Sequence, residues 1–517
     1  MTDVLPSLIA GEWLTGSGEG TLVSDAVTGD PVTRVSADGL DLSRAVEHAR
    51  GVGGPALREL DFHERAALVK AMARALSDRK QELYDLSAQA GCTRSDAKVD
   101  VDGGFGTAMV FASMATKGLP QSRLVVEGDV EQLGREGTFV GQHVLTSRRG
   151  VAVQINAFNF PVWGLLEKLA PALIAGVPTI VKPATPTAYI AEHAVRIIQE
   201  ADVLPAGALQ LISGSIPGLM DLLDGQDSVG FTGSAATAAK LRGHDAVTNR
   251  SLRFTAEADS LNCSVLGPDA VPGTPEFDYF VQALATEMTV KAGQKCTAIR
   301  RAFVPRDQLG DVSDAVSARL SEVVVGAPGA DGVTMGALVG LDQREDVRRA
   351  VALLSAETEL VFGDPASVDV VGADSGTGAF MSPILLRSAD GAAQAPHDVE
   401  AFGPVSTLIG FDGVDDLVDQ IARGHGSLAG SLVTHDGDFA RRVISETAAF
   451  HGRMLILDRE DADESTGHGT PMPQLIHGGP GRAGGGEEEG GLRAVHHHLQ
   501  RTALQAGPDM LKAILDE

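Results

Sequence analysis

The sequence predicts an α/β protein built from two or three structural units. Three observations carry that expectation. At 517 residues the chain exceeds the length at which a single hydrophobic core stops growing. From about residue 150 onward, short apolar runs alternate with stretches of helical periodicity, the pattern of a parallel sheet with right-handed crossovers. The 61 glycines, set against only 4% aromatic residues, suit many tight strand-to-helix turns.

The elements follow in chain order. After an irregular start, "LSRAVEHAR", "FHERAALVKAMARALSDRKQELYDLSAQA" and "FGTAMVFASMA" space their apolar residues for helices, to about residue 118. "TFVGQHVLTSRRGVAVQIN" alternates and is rich in β-branched residues, so it reads as strands. Next come a strand in "GVAVQINAFN", a helix in "PVWGLLEKLAPALIAG", a strand in "VPTIVKPA" and a helix in "TAYIAEHAVRIIQEA". "ALQLISG" reads as a strand, "IPGLMDLLDG" as a helix, "SVGFTGS" as a strand and "AATAAKLRG" as a helix. "LRFTAEA" is a further strand, closing on Glu257. Residues 270 to 460 repeat the theme: "FDYFVQALATEMTV" and "VSDAVSARLSEVV" are helical, "AIRRAFVP" and "SLAGSLVTH" extended. The tail "HGGPGRAGGGEEEGGLRAVHHHLQRTALQ" reads as a Gly-rich loop leading to an edge strand. Adjacent His496, His497 and His498 cannot all face one ion from a strand, so no metal site is expected.

Composition narrows the function. With 42 basic and 69 acidic residues the net charge is −27, which argues against nucleic acid or an anionic membrane as main partner. An anionic ligand needs a local basic pocket or a helix N-terminus against that background. The longest uncharged apolar run, "LAPALIAGVPTIV", is too short to span a bilayer. The start carries no basic n-region and no apolar h-region of a secretory signal. Cys92, Cys263 and Cys296 make no disulfide framework and no CxxC pair, so a reducing, cytoplasmic setting is expected.

Ligands of parallel sheets sit at the carboxyl ends of the strands. Asn159 follows one such end, and its amide can donate to a developing oxyanion, a role worth roughly 3 kcal/mol; holding its own turn is the plainer reading. Lys182 ends the next strand, where it either leaves the core or meets a phosphate or ribose. Gly233 and Ser234 open a helix whose free N–H groups make an anion site. Glu257 is a general-base candidate if burial raises its pKa, and otherwise a rim residue. Cys296, in "VKAGQKCTAIRR", is either a small buried hydrophobe or a nucleophile whose thiolate is favoured by Lys295 and nearby N–H groups.

Taken together and in order, these residues resemble the aldehyde dehydrogenase superfamily. "FNFP" is similar to its oxyanion Asn motif, "VKPAT" to its Lys-Pro cofactor motif, "FTGS" to its cofactor helix start and "GQKC" to its nucleophile motif. "EAFGP" resembles the motif whose Glu and Phe, here Glu400 and Phe402, hold the nicotinamide ribose. A narrower likeness is to the dehydrogenase half of the bifunctional phenylacetate-degradation enzymes and to the stand-alone 3,4-dehydroadipyl-CoA semialdehyde dehydrogenases. The resemblance implies a Rossmann-like cofactor domain, an α/β catalytic domain and a small oligomerisation sheet. It places the NAD(P)-binding domain at 1–120 and 150–260, the catalytic domain at 261–475 and the oligomerisation segment at 121–149 and 476–517. It implies Cys296 as nucleophile, Glu257 as base and Asn159 as oxyanion donor. Lys182, Thr185, Ala157, Phe158, Gly233, Ser234, Glu400 and Phe402 are then the cofactor-binding residues.

The implied reaction is NADP-dependent oxidation of a CoA-linked semialdehyde to its acid, of the 3-oxo-5,6-dehydrosuberyl-CoA or 3,4-dehydroadipyl-CoA type, in aromatic degradation. A homodimer or larger homo-oligomer is implied. The chain stops where the fused hydratase would begin, so a separate hydratase is expected to supply the aldehyde. Where most relatives carry an acid two residues after the Lys-Pro pair, this chain has Thr185, which favours NADP over NAD. The usual Glu-Leu-Gly-Gly is here Glu257-Ala258-Asp259-Ser260, and the usual Pro-Trp before the Asn is Ala157-Phe158. The alternatives are a CoA-acylating or broad-specificity aldehyde dehydrogenase, a thiol hydrolase needing a His such as His477, and a non-catalytic binding protein. Arg65, Lys70 and Arg74 are candidate CoA cations, with a solvated helix face as the plainer reading.

Overall fold

Two seven-stranded sheets organise the chain, and the computed structural model describes residues 3–389, 391–486 and 490–515. The first sheet runs, in spatial order, Arg253–Glu257, Ser228–Thr232, Ala152–Ile155, Thr179–Lys182, Leu209–Leu211, Ser7–Ile9 and Glu12–Leu14. Its first five strands are mutually parallel. They are short and apolar because both faces are covered. Ala152 and Val181 join one core with helices Phe62–Asp78, Arg94–Gly118 and Trp163–Ile174; Val153, Ile180 and Val229 join another on the opposite face. The earliest parallel strand, Ala152–Ile155, lies in the middle. The chain winds out from it to one side, then restarts on the other with Ser228–Thr232. A crevice opens at the carboxyl ends of strands flanking such a reversal.

The second sheet is ordered Glu359–Phe362, Ile384–Ser388, Val405–Phe411, Arg301–Pro305, Cys263–Leu266, Ser427–Val433 and His451–Leu457, parallel except for its first strand. A third, three-stranded sheet pairs Val140–Ser147 with Leu124–Gln132 on one side and Leu499–Ala506 on the other, all antiparallel.

Several elements differ from expectation. The irregular start contains five short strands; Ser7–Ile9 and Glu12–Leu14 form a hairpin on the edge of the first sheet. Runs of three residues carry too little periodicity to announce a strand. "IPGLMDLLDG" forms only the 3-10 turn Leu219–Leu222. The tail contains a helix, Gly491–His497, so His496 and His497 close a helix and do not stand on a strand; His498 Nδ1 lies 3.4 Å from Ser228 Oγ. Glu487, Glu488 and Glu489 of that tail lie outside the described residues. No described helix is long and apolar enough to cross a membrane.

Candidate active site

The loop that carries Cys296 is built on unusual backbone. After helix Pro275–Thr289, Lys291, Ala292 and Gly293 take φ values of 53°, 50° and 68°. For residues with a Cβ that left-handed conformation costs about 1–2 kcal/mol each. Neighbours hold it in place. Asp96, which also closes the capping box of helix Arg94–Gly118, accepts the Lys291 N–H at 2.7 Å. The Arg300 guanidinium donates to Gly293, Lys295 and Gly403 carbonyls at 2.9, 3.2 and 2.7 Å. A Cβ on residue 293 would lie 2.1 Å from the Gly403 carbonyl oxygen, so only glycine fits. The Asn262 amide donates to the Cys296 carbonyl at 2.8 Å and to Ala298 at 3.0 Å. Cys296 is thereby fixed, half-buried, in the floor of the crevice.

Asn159 reaches the same floor from the first sheet. Beyond Ile155 the chain turns and enters helix Trp163–Ile174, whose first N–H groups are accepted by buried Asp100. Gly103 makes room for the Trp163 ring, 2.3 Å from where a Cβ would stand. Asn159 is buried, and its Nδ2 has no hydrogen-bond partner among the described residues. An unmet buried donor costs about 1–3 kcal/mol, which an incoming oxygen would recover.

The charges around Cys296 differ from those anticipated. Lys295 is held by an ion pair, its Nζ 2.6 Å from Oε1 of buried Glu287. The nearby cation is His477, whose Nε2 lies 3.0 Å from Glu257 Oε2 and whose Nδ1 lies 3.1 Å from Glu167 Oε2. Lys168 Nζ stands 3.3 Å from Glu167. Burial is the largest influence and pushes against the charge on Glu257, yet His477, with Lys168 and the Cys296 thiol, together outweigh it and hold this carboxyl down at about 2. The expectation that burial raises the Glu257 pKa is therefore corrected. Burial, then the Glu257 charge, pushes the Cys296 thiol up to about 12, so the resting residue is a thiol. His477 is raised well above the ordinary histidine value by the two carboxylates, despite its own burial.

The crevice itself spans two joined cavities. One, of about 530 Å³, is lined by Ala157, Phe158, Asn159, Lys182, Gly233, Ser234, Glu257, Cys296, Glu400 and Phe402, so ten candidates from distant segments converge there. Thr185 lines the second, of about 660 Å³; Ile155, Lys182 and Thr237 border both. Lys182 has no ion-pair partner among the described residues, and burial lowers its pKa. A long trough with a lone cation at its waist and carboxylate and aromatic groups at its far end fits a dinucleotide. Glu400 accepts the Ser260 N–H at 3.1 Å and lies 3.8 Å from Arg300 Nε; burial raises its pKa to about 7. Phe402 packs edge-on to Phe158 with ring centroids 5.7 Å apart.

Two further expectations are corrected. The helix opened by Ser234 does not present all its N–H groups freely: Ser234 Oγ accepts from Thr237, and Asp259 accepts from Ala235 at 2.8 Å. Arg65 does not face solvent for a CoA phosphate. It is fully buried, donating to the carbonyls of Leu60 and Ile174, while Lys70 and Arg74 lie on the exposed face. Residues 477 to 485, grouped by sequence with the oligomerisation segment, pack against the crevice: Ala258 N–H donates to the Ala483 carbonyl at 3.1 Å. Glu167, Lys168 and His477 carried no local motif; the only clue was an adjacent Glu-Lys pair within an otherwise apolar helix.

A partly exposed cysteine, an amide with no described partner and a buried carboxylate meet beside a trough of dinucleotide size. A sequence profile of the aldehyde dehydrogenase family matches residues 13–502. The chain is 45% identical over 478 residues to the 3,4-dehydroadipyl-CoA semialdehyde dehydrogenase of Aromatoleum evansii, spanning 92% of this chain and 93% of that protein. It is 49% identical to the protein MaoC of Klebsiella aerogenes over 182 residues, 35% of this chain and 52% of the other. Among solved structures, lactaldehyde dehydrogenase from Escherichia coli superposes with a TM-score of 0.83 at 21% identity, covering 98% of this chain and 99% of that one. Betaine aldehyde dehydrogenase from Staphylococcus aureus, a double mutant solved with NAD+, gives 0.83 at 20% identity over 97% and 96%. The chain belongs to the aldehyde dehydrogenase family, and is an NAD(P)-dependent enzyme of that class.

Proposed function

We propose that this enzyme oxidises a CoA-linked semialdehyde to the carboxylic acid with NADP, as a step of aromatic-compound degradation. The observation that carries the reading is the meeting of Cys296, the unpartnered Asn159 amide and Glu257 in one crevice. The substrate class follows from the likeness to the Aromatoleum evansii enzyme across nearly the whole chain, and favours the 3,4-dehydroadipyl-CoA type over the longer homologue.

Cys296 loses its proton and attacks the aldehyde carbon, forming a thiohemiacetal. The Asn159 Nδ2–H and the Cys296 backbone N–H donate to the oxyanion. When bound, a nicotinamide dinucleotide accepts the hydride that leaves the former aldehyde carbon. Glu400 and Phe402 would hold its ribose end, and Lys182 with Thr185 its adenosine end; Thr185 lacks the negative charge that would repel a 2′-phosphate. The acyl group is then a thioester on Cys296. Glu257 takes a proton from water, water attacks the acyl carbon, and the acid leaves as the thiolate is restored. A narrow channel lined by Phe160, Trp163, Pro471 and Cys296 suits a slender unbranched aldehyde arm.

Glu257 favours hydrolysis over transfer of the acyl group to CoA. A thiol-hydrolase reading would need His477 as base, yet both its ring nitrogens face carboxylates. The chain is proposed to act in the cytoplasm as a homodimer or larger homo-oligomer, with a separate hydratase supplying the aldehyde. The test is a cofactor-reduction assay crossing NADP and NAD with CoA-linked and free aldehydes. Fast turnover only with the CoA-linked semialdehyde and NADP is expected; no turnover with any aldehyde rejects the reading. Thr185→Glu should lower the NADP to NAD preference at least tenfold.

A further inference from the structure

The crevice floor carries an electrostatic difficulty. Glu257 is ionised, and whenever Cys296 is a thiolate two anions share one largely buried pocket. Like charges that close oppose each other unless a cation offsets them. Five basic groups lie around this floor, and one, Arg300, is engaged by the Gly293, Lys295 and Gly403 carbonyls and lies 3.8 Å from Glu400. Lys295 is drawn off by Glu287, and Lys168 lies against Glu167. Arg453, on strand His451–Leu457, donates to the Gly469 carbonyl. His477 is the group that touches the base itself. With Glu257 3.0 Å from Nε2 and Glu167 3.1 Å from Nδ1, each ring nitrogen faces a carboxylate. The ring is buried, lines the same cleft as Cys296 and Glu257, and the two carboxylates favour its doubly protonated form.

We propose that His477 is a positioning residue: its imidazolium, braced by Glu167, lets the Cys296 thiolate and the Glu257 carboxylate coexist in one buried pocket. Its purpose rests on the aldehyde-oxidising reading above, but its charge balance does not depend on which substrate binds. Opening the Sγ–H bond sends one proton to water in the crevice and moves no electrons between groups. The sulfur anion then has Glu257 on one side and His477 as counter-ion to both. Without the imidazolium the same step would place two uncompensated negative charges together.

The test needs no substrate. The rate of Cys296 alkylation by iodoacetamide, read by mass spectrometry of its peptide, reports the thiolate across pH 6 to 10. His477→Gln is expected to slow alkylation at pH 8 at least tenfold. Glu257→Gln should speed it, the double variant should return towards wild type, and His477→Lys should recover much of the loss. Melting temperature and cofactor binding verify that each variant is folded. A folded His477→Gln protein that alkylates at the wild-type rate overturns the proposal. If that variant does not fold, 15N-labelled histidine in the intact enzyme decides. Two protonated ring nitrogens at pH 8 support the imidazolium, and a single tautomeric proton overturns it. A protein that turns over no aldehyde yet shows the alkylation pattern would sink the proposed function alone.

Discussion

Asn159 and Glu400 show how much a single buried polar atom decides. The Asn159 amide has no described partner at rest, so its donor is free for the oxyanion proposed above. Asn159→Ala should lower kcat by about 100-fold to 1,000-fold, the range for loss of one oxyanion donor, with little change in cofactor affinity. Stopped-flow measurement of the cofactor-reduction phase checks both. Glu400 has a folded pKa near 7, above its unfolded value, because burial disfavours its charge. Its stabilising contribution is thus fully present below the unfolded pKa and is lost as pH rises through about 7. At pH 8 ionisation costs the apoprotein up to about 3 kcal/mol. Glu400→Gln should therefore raise the apoprotein melting temperature at pH 8 and change it little at pH 4.5. Cofactor binding should show the opposite sense, because an ionised Glu400 accepts ribose hydroxyls better. Titration with NAD+ should find affinity rising from pH 6 to 8 in the wild type and flat in the variant. Residues of this kind were visible in the sequence wherever a strand ends: Asn159, Lys182 and Glu257 each stand at or just after an apolar run. Glu167 was not, and His477 was named only as a possible hydrolase base, because 310 positions separate two side chains that meet only in the folded protein.

At the scale of elements, the loop from Val290 to Cys296 is the part under most strain. Lys291 and Ala292 hold left-handed backbone that glycine would adopt freely, and Gly293 sits where a side chain would strike the Gly403 carbonyl. Gly293→Ala should destabilise the enzyme and displace Cys296. We expect a loss of activity of more than 100-fold and a clear fall in melting temperature, measured by calorimetry. The sequence marked this loop through Gly293 and its neighbours but not the left-handed Lys291 and Ala292, since nothing in residue type requires it there. The parallel strands were readable because burial on both faces leaves continuous apolar runs. The hairpin of Ser7–Ile9 and Glu12–Leu14 was not, because strands of three residues depend on the sheet edge they join and have little local pattern of their own.

For the whole molecule, the third sheet carries the clearest consequence. Its outer strands, Leu124–Gln132 and Leu499–Ala506, each present one unpaired edge, and Val126, Val130, Leu133 and Phe139 are exposed nearby. Exposed edges of that kind are normally covered. Light scattering should give a mass at least twice 53.6 kDa. Deleting residues 499–517 should reduce the particle to monomers or aggregates. A stable monomer in the intact chain would remove the oligomer from the proposal.

The same sheet also sets a schedule for synthesis. Strand Val140–Ser147 lies between the helical start and the first parallel strands, yet one of its two partners is Leu499–Ala506, near the other end of the chain. A growing polypeptide therefore carries a half-dressed strand until its distant partner is made, and ladder contacts of such large sequence separation form late. Completion of this sheet waits on Leu499–Ala506. A ribosome that stalls in the second sheet releases a sticky fragment with an open β-edge, so premature termination should yield aggregation rather than a partly working enzyme.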